Sequence, residues 1–154
     1  MDVEIIFNVE PESWLEALPK YQKDMLNELY TLKGDYIEVA KSWLNNSVSS
    51  TVPFGTQKGK SPFFEKILDE LEAFFSGDKK YEKDRASLIS EKGIVQAVFV
   101  SGLSYVLSTV LGVSGAFLAP VIAIALCTIT KMGINAWLAM RKAERENTDN
   151  NNNQ

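Results

Sequence analysis

From Ile94 through Thr130 no side chain carries a charge, a run covering about a quarter of the 154-residue chain. Lys92 stands just before the run and Lys131 just after it. A stretch of this kind has to be enclosed, either by lipid or by the protein's own interior. It is too long for one membrane-crossing helix, which needs about 20 residues. Gly112-Val113-Ser114-Gly115 divides it, because glycine accepts the backbone angles of a tight turn. The run therefore predicts a helical hairpin with segments 94–111 and 116–140, the second continuing past Lys131 to Met140. At about 1.5 Å per residue the first segment spans roughly 27 Å. A hydrocarbon layer is about 30 Å thick, so a two-pass transmembrane hairpin fits.

The flanks agree with that expectation. Lys79, Lys80, Lys83, Arg85 and Lys92 precede the hairpin, and Arg141, Lys142 and Arg145 follow it. Cytoplasmic flanks of membrane helices are rich in Lys and Arg, so both termini are expected in the cytoplasm and the hairpin in the cell membrane. Lys92, Lys131, Trp137, Arg141 and Lys142 are the expected membrane-interface residues. Ala97, Ser101, Ser104, Ser108 and Gly112 share one helical face of the first segment. Ala116, Ala119, Ala123 and Cys127 do so in the second. Faces of small residues let helices approach closely, so these nine form the expected packing face of the hairpin.

A second expectation runs beside the first. Gln96, Ser101, Ser104, Tyr105, Ser108 and Thr109 make the first segment only moderately apolar, and Lys131 within a span costs roughly a few kcal/mol. The alternative is a cytoplasmic, soluble helical bundle with the hairpin buried in its core or in a homo-oligomer. In that case Lys131 is exposed or paired with an acid of the N-terminal helices.

The charge distribution bounds the partners. Through Lys92 there are 12 basic and 17 acidic residues, a net of −5; from Gly93 there are 4 and 3, a net of +1, giving the total of −4. An acidic first half argues against nucleic acid, which needs a concentrated basic surface. There is no histidine, which removes the commonest general base and transition-metal ligand. The single cysteine, Cys127, reads as a small packing residue. Gly55-Thr56-Gln57-Lys58-Gly59-Lys60-Ser61 looks like a phosphate loop one residue short, with Phe54 where the first glycine belongs. Ser61-Pro62 reads more simply as a helix cap and first turn. No enzyme, cofactor or metal site is expected.

The fold class expected is mainly α. A small helical domain (1–92) carries one short N-terminal β-strand, Val3 to Val9, and a flexible loop at 46–60. The strand is suggested by β-branched and aromatic residues and needs a partner, for which Thr51 to Phe54 is the nearest candidate. Helices follow at Ser13, at 20–33 after Pro19, at 36–45 after Asp35, and at 62–75. Tyr21, Met25, Leu29 and Leu32 recur at helical spacing and mark the expected inward face of the second. Trp14 and Trp43 read as core. The charged segment 78–92 leads as a helix into the hairpin (93–143), and a disordered polar tail (144–154) ends the chain. Met1-Asp2-Val3-Glu4 is acidic where a secretory signal would be basic, so no cleaved signal is expected.

The ordering of amphipathic helices first and a hydrophobic hairpin near the end resembles that of colicin-type pore-forming domains. The resemblance is one of architecture, with no motif matched residue by residue. The function expected from the hairpin and its flanks is that of a small non-enzymatic membrane protein. A cytoplasmic helical domain would sense or bind a protein partner. The hairpin would anchor it or, on homo-oligomerisation, perturb the lipid bilayer as a membrane-disrupting effector.

Overall fold

A computed structural model of the protein describes residues 3–48, 62–90 and 93–152. Eight α-helices and two 3-10 turns make up the regular structure, with no strand among the described residues. The helices are α1 (Ser13–Glu16), α2 (Lys20–Lys33), α3 (Tyr36–Val48), α4 (Pro62–Ser76), α5 (Glu82–Leu88), α6 (Gln96–Leu111), α7 (Gly115–Met132) and α8 (Ile134–Asn152).

The N-terminal strand is not found. Val3–Phe7 forms a 3-10 turn, with Ile6 and Phe7 buried. A lone strand leaves its ladder unpaired, and the expected partner at 51–54 lies outside the described residues. The apolar pair instead packs its side chains, Phe7 meeting Phe75 edge-on at 5.1 Å and Trp14 at 6.3 Å. Of the loop expected at 46–60, residues 46–48 belong to α3, while residues 49–60 and the Ser61 cap lie outside the described residues.

Local signals set most helix ends. Pro19 stands at the N-cap of α2, and Gly34 closes the same helix in the left-handed conformation at φ 72°, which glycine adopts without cost. The Asp35 carboxylate accepts from the Ile37 N–H at 2.9 Å and opens α3. Ser114 caps α7 by accepting from Phe117 N–H at 3.1 Å. Arg85 closes α4 from a distance, donating to the carbonyls of Phe74 at 2.9 Å and Asp78 at 2.7 Å. At Phe74 the guanidinium satisfies a carbonyl that the end of α4 leaves free, while the Asp78 carbonyl, beyond the helix, also accepts from the Tyr81 N–H at 3.1 Å.

Four elements depart from the expected boundaries, the first being α3, which runs three residues past 45 to Val48. The charged segment before the hairpin is a 3-10 turn (Lys79–Tyr81) and the short α5, then extended chain from Ile89. Burial of Tyr81 and Ile89 bends it onto the bundle. The second hairpin segment stops at Met132, where Gly133 sits at φ 93° and redirects the chain into α8. The polar residues after 144, expected as a disordered tail, continue α8 to Asn152.

The core is organised around α7. Ten of its eighteen residues are buried, from Leu118 through Ile129. It is packed by α6, α1, α3, α8 and the N-terminal 3-10 turn. The amphipathic α4 adds Phe64, Ile67, Leu71, Phe74 and Phe75 to the same core, with Phe74 meeting Phe99 of α6 at 6.4 Å. Burying the larger of these side chains contributes about 1.5–3 kcal/mol each. The N-terminal helices and the hairpin thus share one hydrophobic cluster.

Candidate functional site

The apolar run carries few polar groups, and the surrounding helices reach in to meet them. The Trp14 indole donates to Thr130 Oγ1 at 2.8 Å, which in turn donates to the Leu126 carbonyl. The Trp43 indole donates to the Phe117 carbonyl at 2.9 Å. The Gln22 amide donates to the Ala116 carbonyl at 3.0 Å. That last carbonyl is special, because the residue four positions on is Pro120, which has no N–H to close the helical bond. One helical segment from each of α1, α2 and α3 is therefore fastened to α7 by a directional bond as well as by packing. Gln96 at the start of α6 donates to Ser13 Oγ at 2.6 Å and ties that helix to α1.

On the other side of the bundle a buried arginine joins α8 to α4. Arg141 is only 7% exposed. Its Nη1 lies 3.1 Å from Glu65 Oε2 and 3.7 Å from Glu144 Oε2, its Nε lies 3.4 Å from Glu72 Oε1, and its Nη2 pairs with Asp69. The guanidinium carbon stands 6.0 Å from the Trp137 ring centroid. Arg145, one turn on, pairs with the second oxygen of Glu72. Burial works against the Arg141 cation, but the Glu65 hydrogen bond and the charges of Asp69, Glu65 and Glu72 hold its pKa above the ordinary value. This gathers the acidic outer face of α4 around a single fork, the geometry for which arginine is suited.

A third polar group is the Tyr81 hydroxyl, buried and donating to Glu70 Oε1 at 2.5 Å, with Lys80 Nζ on the same oxygen at 2.7 Å. Burial, then the Glu70 carboxylate, pushes the Tyr81 pKa upward.

The expected interface residues are scattered by this fold. Trp137 is buried against the bundle and Arg141 is clamped by carboxylates, while Lys142 is exposed. Lys131 is 53% exposed and 3.8 Å from Glu12. Lys92 lies outside the described residues. The expected packing face is divided as well. In α6, Ala97, Ser101 and Gly112 point outward and Ser108 is half-buried; Ser104 is buried. In α7, Ala116 is exposed and Ala119 half-buried, whereas Ala123 and Cys127 are buried. Gly115 packs beside the Ser104 backbone, where a Cβ would stand at 3.6 Å, an ordinary contact. Phe99, Val100, Leu103 and Leu107 make the buried side of α6.

Reading the sequence alone missed Gln22 and the Arg141 cluster. The second had a signal: Glu65, Asp69 and Glu72 lie on one helical face, and so do Arg141 and Arg145. Among the described residues no group of acids, histidines and cysteines is placed to hold a metal ion. An open cleft of about 600 Å³ lies beside Gly133, lined by Ile5, Phe7, Met132 and Ile134 among others; it holds no cluster of reactive groups. No family model matches this chain, and neither a curated protein nor a solved structure matches it.

Proposed function

We propose that this chain is a non-enzymatic α-helical protein-interaction module whose apolar hairpin serves as its own core. The observation that carries the reading is the enclosure of α7 on the sides of α1, α3, α6 and α8, together with an α7 buried from Val121 through Cys127. Lys131 supports it: the charge that is costly within a bilayer sits half-exposed beside Glu12. An aqueous setting for the molecule also explains why three polar side chains of the N-terminal helices end on α7. The test is purification of the full chain without detergent, with light scattering to measure its mass. A monodisperse species is expected, together with complete release from membranes under alkaline carbonate. Retention in the carbonate-washed membrane would overturn the reading.

A second reading rests on a specific feature. The eighteen residues of α7 are long and apolar enough to cross a membrane by length and composition, and the exposed side of α6 bears no charge. In this reading the bundle is a closed form, and the hairpin enters the bilayer after the N-terminal helices are released, anchoring the chain or perturbing the membrane as an oligomer. Insertion would break the bonds from Trp14, Gln22 and Trp43 to α7. Flotation of the protein with liposomes, followed by carbonate extraction of the floated fraction, separates insertion from surface binding.

A further inference from the structure

The helix α2 sits loosely on the bundle. Two of its fourteen residues are buried, Gln22 and Leu26, against five of fifteen in α4 and five of sixteen in α6. One of those two is polar and incompletely bonded. Gln22 Nε2 serves the Ala116 carbonyl, but Gln22 Oε1 is enclosed with no donor among the described residues. An enclosed acceptor without a donor weakens the closed state. The apolar stripe of the same helix faces solvent, with Tyr21, Met25 and Leu32 exposed by 60%, 45% and 79%. A polar group inside and apolar groups outside reverse the order that burial favours, a local conflict with the rest of the fold. Between the helix, α1 and Tyr36 a cavity of about 120 Å³ remains, lined by Leu15, Glu16, Lys23 and Leu26 among others. The seat of α2 is therefore not close-packed, and its lining loses contacts that a filled interior would make.

We propose that α2 is a strap that opens as a unit, leaving the bundle between Pro19 and Gly34 while α1, α3, α4, α6, α7 and α8 remain packed. The ends of the helix allow it. Pro19 stands before the first turn at ψ 151°, so no continuous helix joins α1 to α2, and Gly34 at φ 72° turns the chain into α3. The tethers are few. Lys23 reaches Glu16 at 3.4 Å, with the carboxylate side chain 76% exposed, and such pairs contribute little. Tyr30 stacks on Tyr36 at 4.3 Å, Leu26 is buried, and Leu29 packs partly against the core. Its neighbours are held more firmly: α1 encloses Trp14 completely, α3 buries Val39, Ala40 and Leu44, and both pack along α7. The strap therefore comes away before α1 and α3 do. Opening frees the Ala116 carbonyl, which Pro120 leaves without a helical donor. It also uncovers Leu15 and Tyr36, and adds Leu26 to the stripe of Tyr21, Met25 and Leu32 on the released helix. The molecule thereby holds apolar surface that a local opening, rather than global unfolding, makes available. The inference rests on the reading of the hairpin as a core.

The test is native-state amide hydrogen exchange of the full chain in detergent-free buffer, with urea kept below the unfolding transition. A detached helix of this length is marginal in water, so its amides exchange whenever the strap opens. The α2 amides are expected to exchange at least about tenfold faster than those of α7, and with a weaker dependence on urea, because opening exposes less surface than unfolding. Two variants separate the strap from global unfolding. Gln22→Ala removes a contact made only in the closed form and should speed exchange in both helices about tenfold. Ile67→Val thins packing in α4 that survives the opening; it should speed α7 about two- to tenfold and leave α2 unchanged. Exchange of α2 at the rate and urea dependence of α7, acceleration of both helices by Ile67→Val, or an α2 indifferent to Gln22→Ala overturns the strap. So do α2 amides with unrelated rates and no urea dependence, which mark fraying rather than opening as a unit. A chain that needs detergent to stay in solution defeats the core reading and the strap with it, whereas uniform exchange in a soluble chain defeats the strap alone.

Discussion

The side-chain amide of Gln22 takes the place of a backbone donor for Ala116, across 94 positions of sequence, at 3.0 Å. Pro120 creates the opening by lacking the N–H that a helix would offer there. Energetic coupling of the two features is the expected outcome, and a double-mutant cycle measures it. Gln22→Ala should destabilise the wild-type chain by about 1–2 kcal/mol in urea unfolding, from the lost bond and the space left behind. In a Pro120→Ala background the backbone N–H restored at position 120 closes the bond to Ala116, and the cost of Gln22→Ala should fall by about 1 kcal/mol. Equal costs in both backgrounds would show that the amide and the proline are unrelated.

Arg141 behaves as a buried cation with several partners, and its removal leaves Glu65, Asp69 and Glu72 facing one another. Breaking a buried pair by removing one member costs about 3–5 kcal/mol. Glu65 and Asp69 are more than half exposed, and solvent screening brings the expected cost of Arg141→Met to about 2–3 kcal/mol. Arg141→Lys should recover little, because one ammonium cannot serve three carboxylates from a planar fork. Arg145→Ala, at an exposed end of the same network, should cost under about 1 kcal/mol. Chemical denaturation of the three variants checks the order.

The Tyr81–Glu70 pair gives stability a dependence on pH at both extremes. Glu70 is held below its ordinary value of 4.5: burial pushes it up, but the hydrogen bonds from Lys80 and Tyr81 outweigh this. Its contribution is present above that value and is lost as acid protonates the folded carboxylate. Tyr81 is raised above its ordinary value of 10.0 by burial and by Glu70. Its contribution is present below pH 10 and is lost above it, as the unfolded chain gives up the phenol proton and the folded chain holds it. Tyr81→Phe should lower the midpoint of denaturation at neutral pH by about 1.5–3 kcal/mol equivalent, the range for a bond to a charged group, and flatten the alkaline decline. Unfolding curves from pH 3 to pH 11 on both proteins carry the comparison.

How much of this was legible in the sequence depends on which force decided each element. Helix ends with a dedicated residue, Pro19, Gly34, Asp35 and Ser114, follow from local chemistry and could be read directly. The α4 stripe could be read because one face is apolar and the other acidic. The inward side of α2 could not. Tyr21, Met25 and Leu32 have the spacing of a core face, yet Gln22 and Leu26 are the buried pair. A carbonyl orphaned in α7 drew the polar side chain inward, and nothing near Gln22 in sequence announces that. The N-terminal residues carry strand-forming side chains without a strand to pair with, so burial of Ile6 and Phe7 prevailed over backbone pairing. Arg141 read as a cationic flank because the acids that receive it lie about 70 positions earlier. The uncharged run announced a need for enclosure; whether protein or lipid supplied it was a tertiary matter.

Gly133 and Gly102 separate two reasons for glycine. Gly133 joins α7 to α8 at φ 93°, with open space where a Cβ would stand. Its need is conformational: an L residue is strained at that angle whatever room it has. Gly133→Ala should destabilise by about 1–2 kcal/mol, or straighten α7 into α8 and pull Trp137 off the core. Gly102 lies in ordinary helical conformation within α6, and a Cβ there would meet Leu88 Cδ2 at 2.4 Å. That contact is with the far end of a flexible leucine, so a rotamer change of Leu88 relieves it. Alanine also gains about 0.5–1 kcal/mol of helix preference over glycine. Gly102→Ala should therefore leave stability within about 0.5 kcal/mol of the wild type, the gain offsetting the repacking. Urea midpoints and tryptophan emission distinguish the two: a large shift for Gly133→Ala with a small one for Gly102→Ala is expected, and the reverse order would mean that packing under Leu88, rather than the chain reversal at Gly133, fixes α6 and α8 in place.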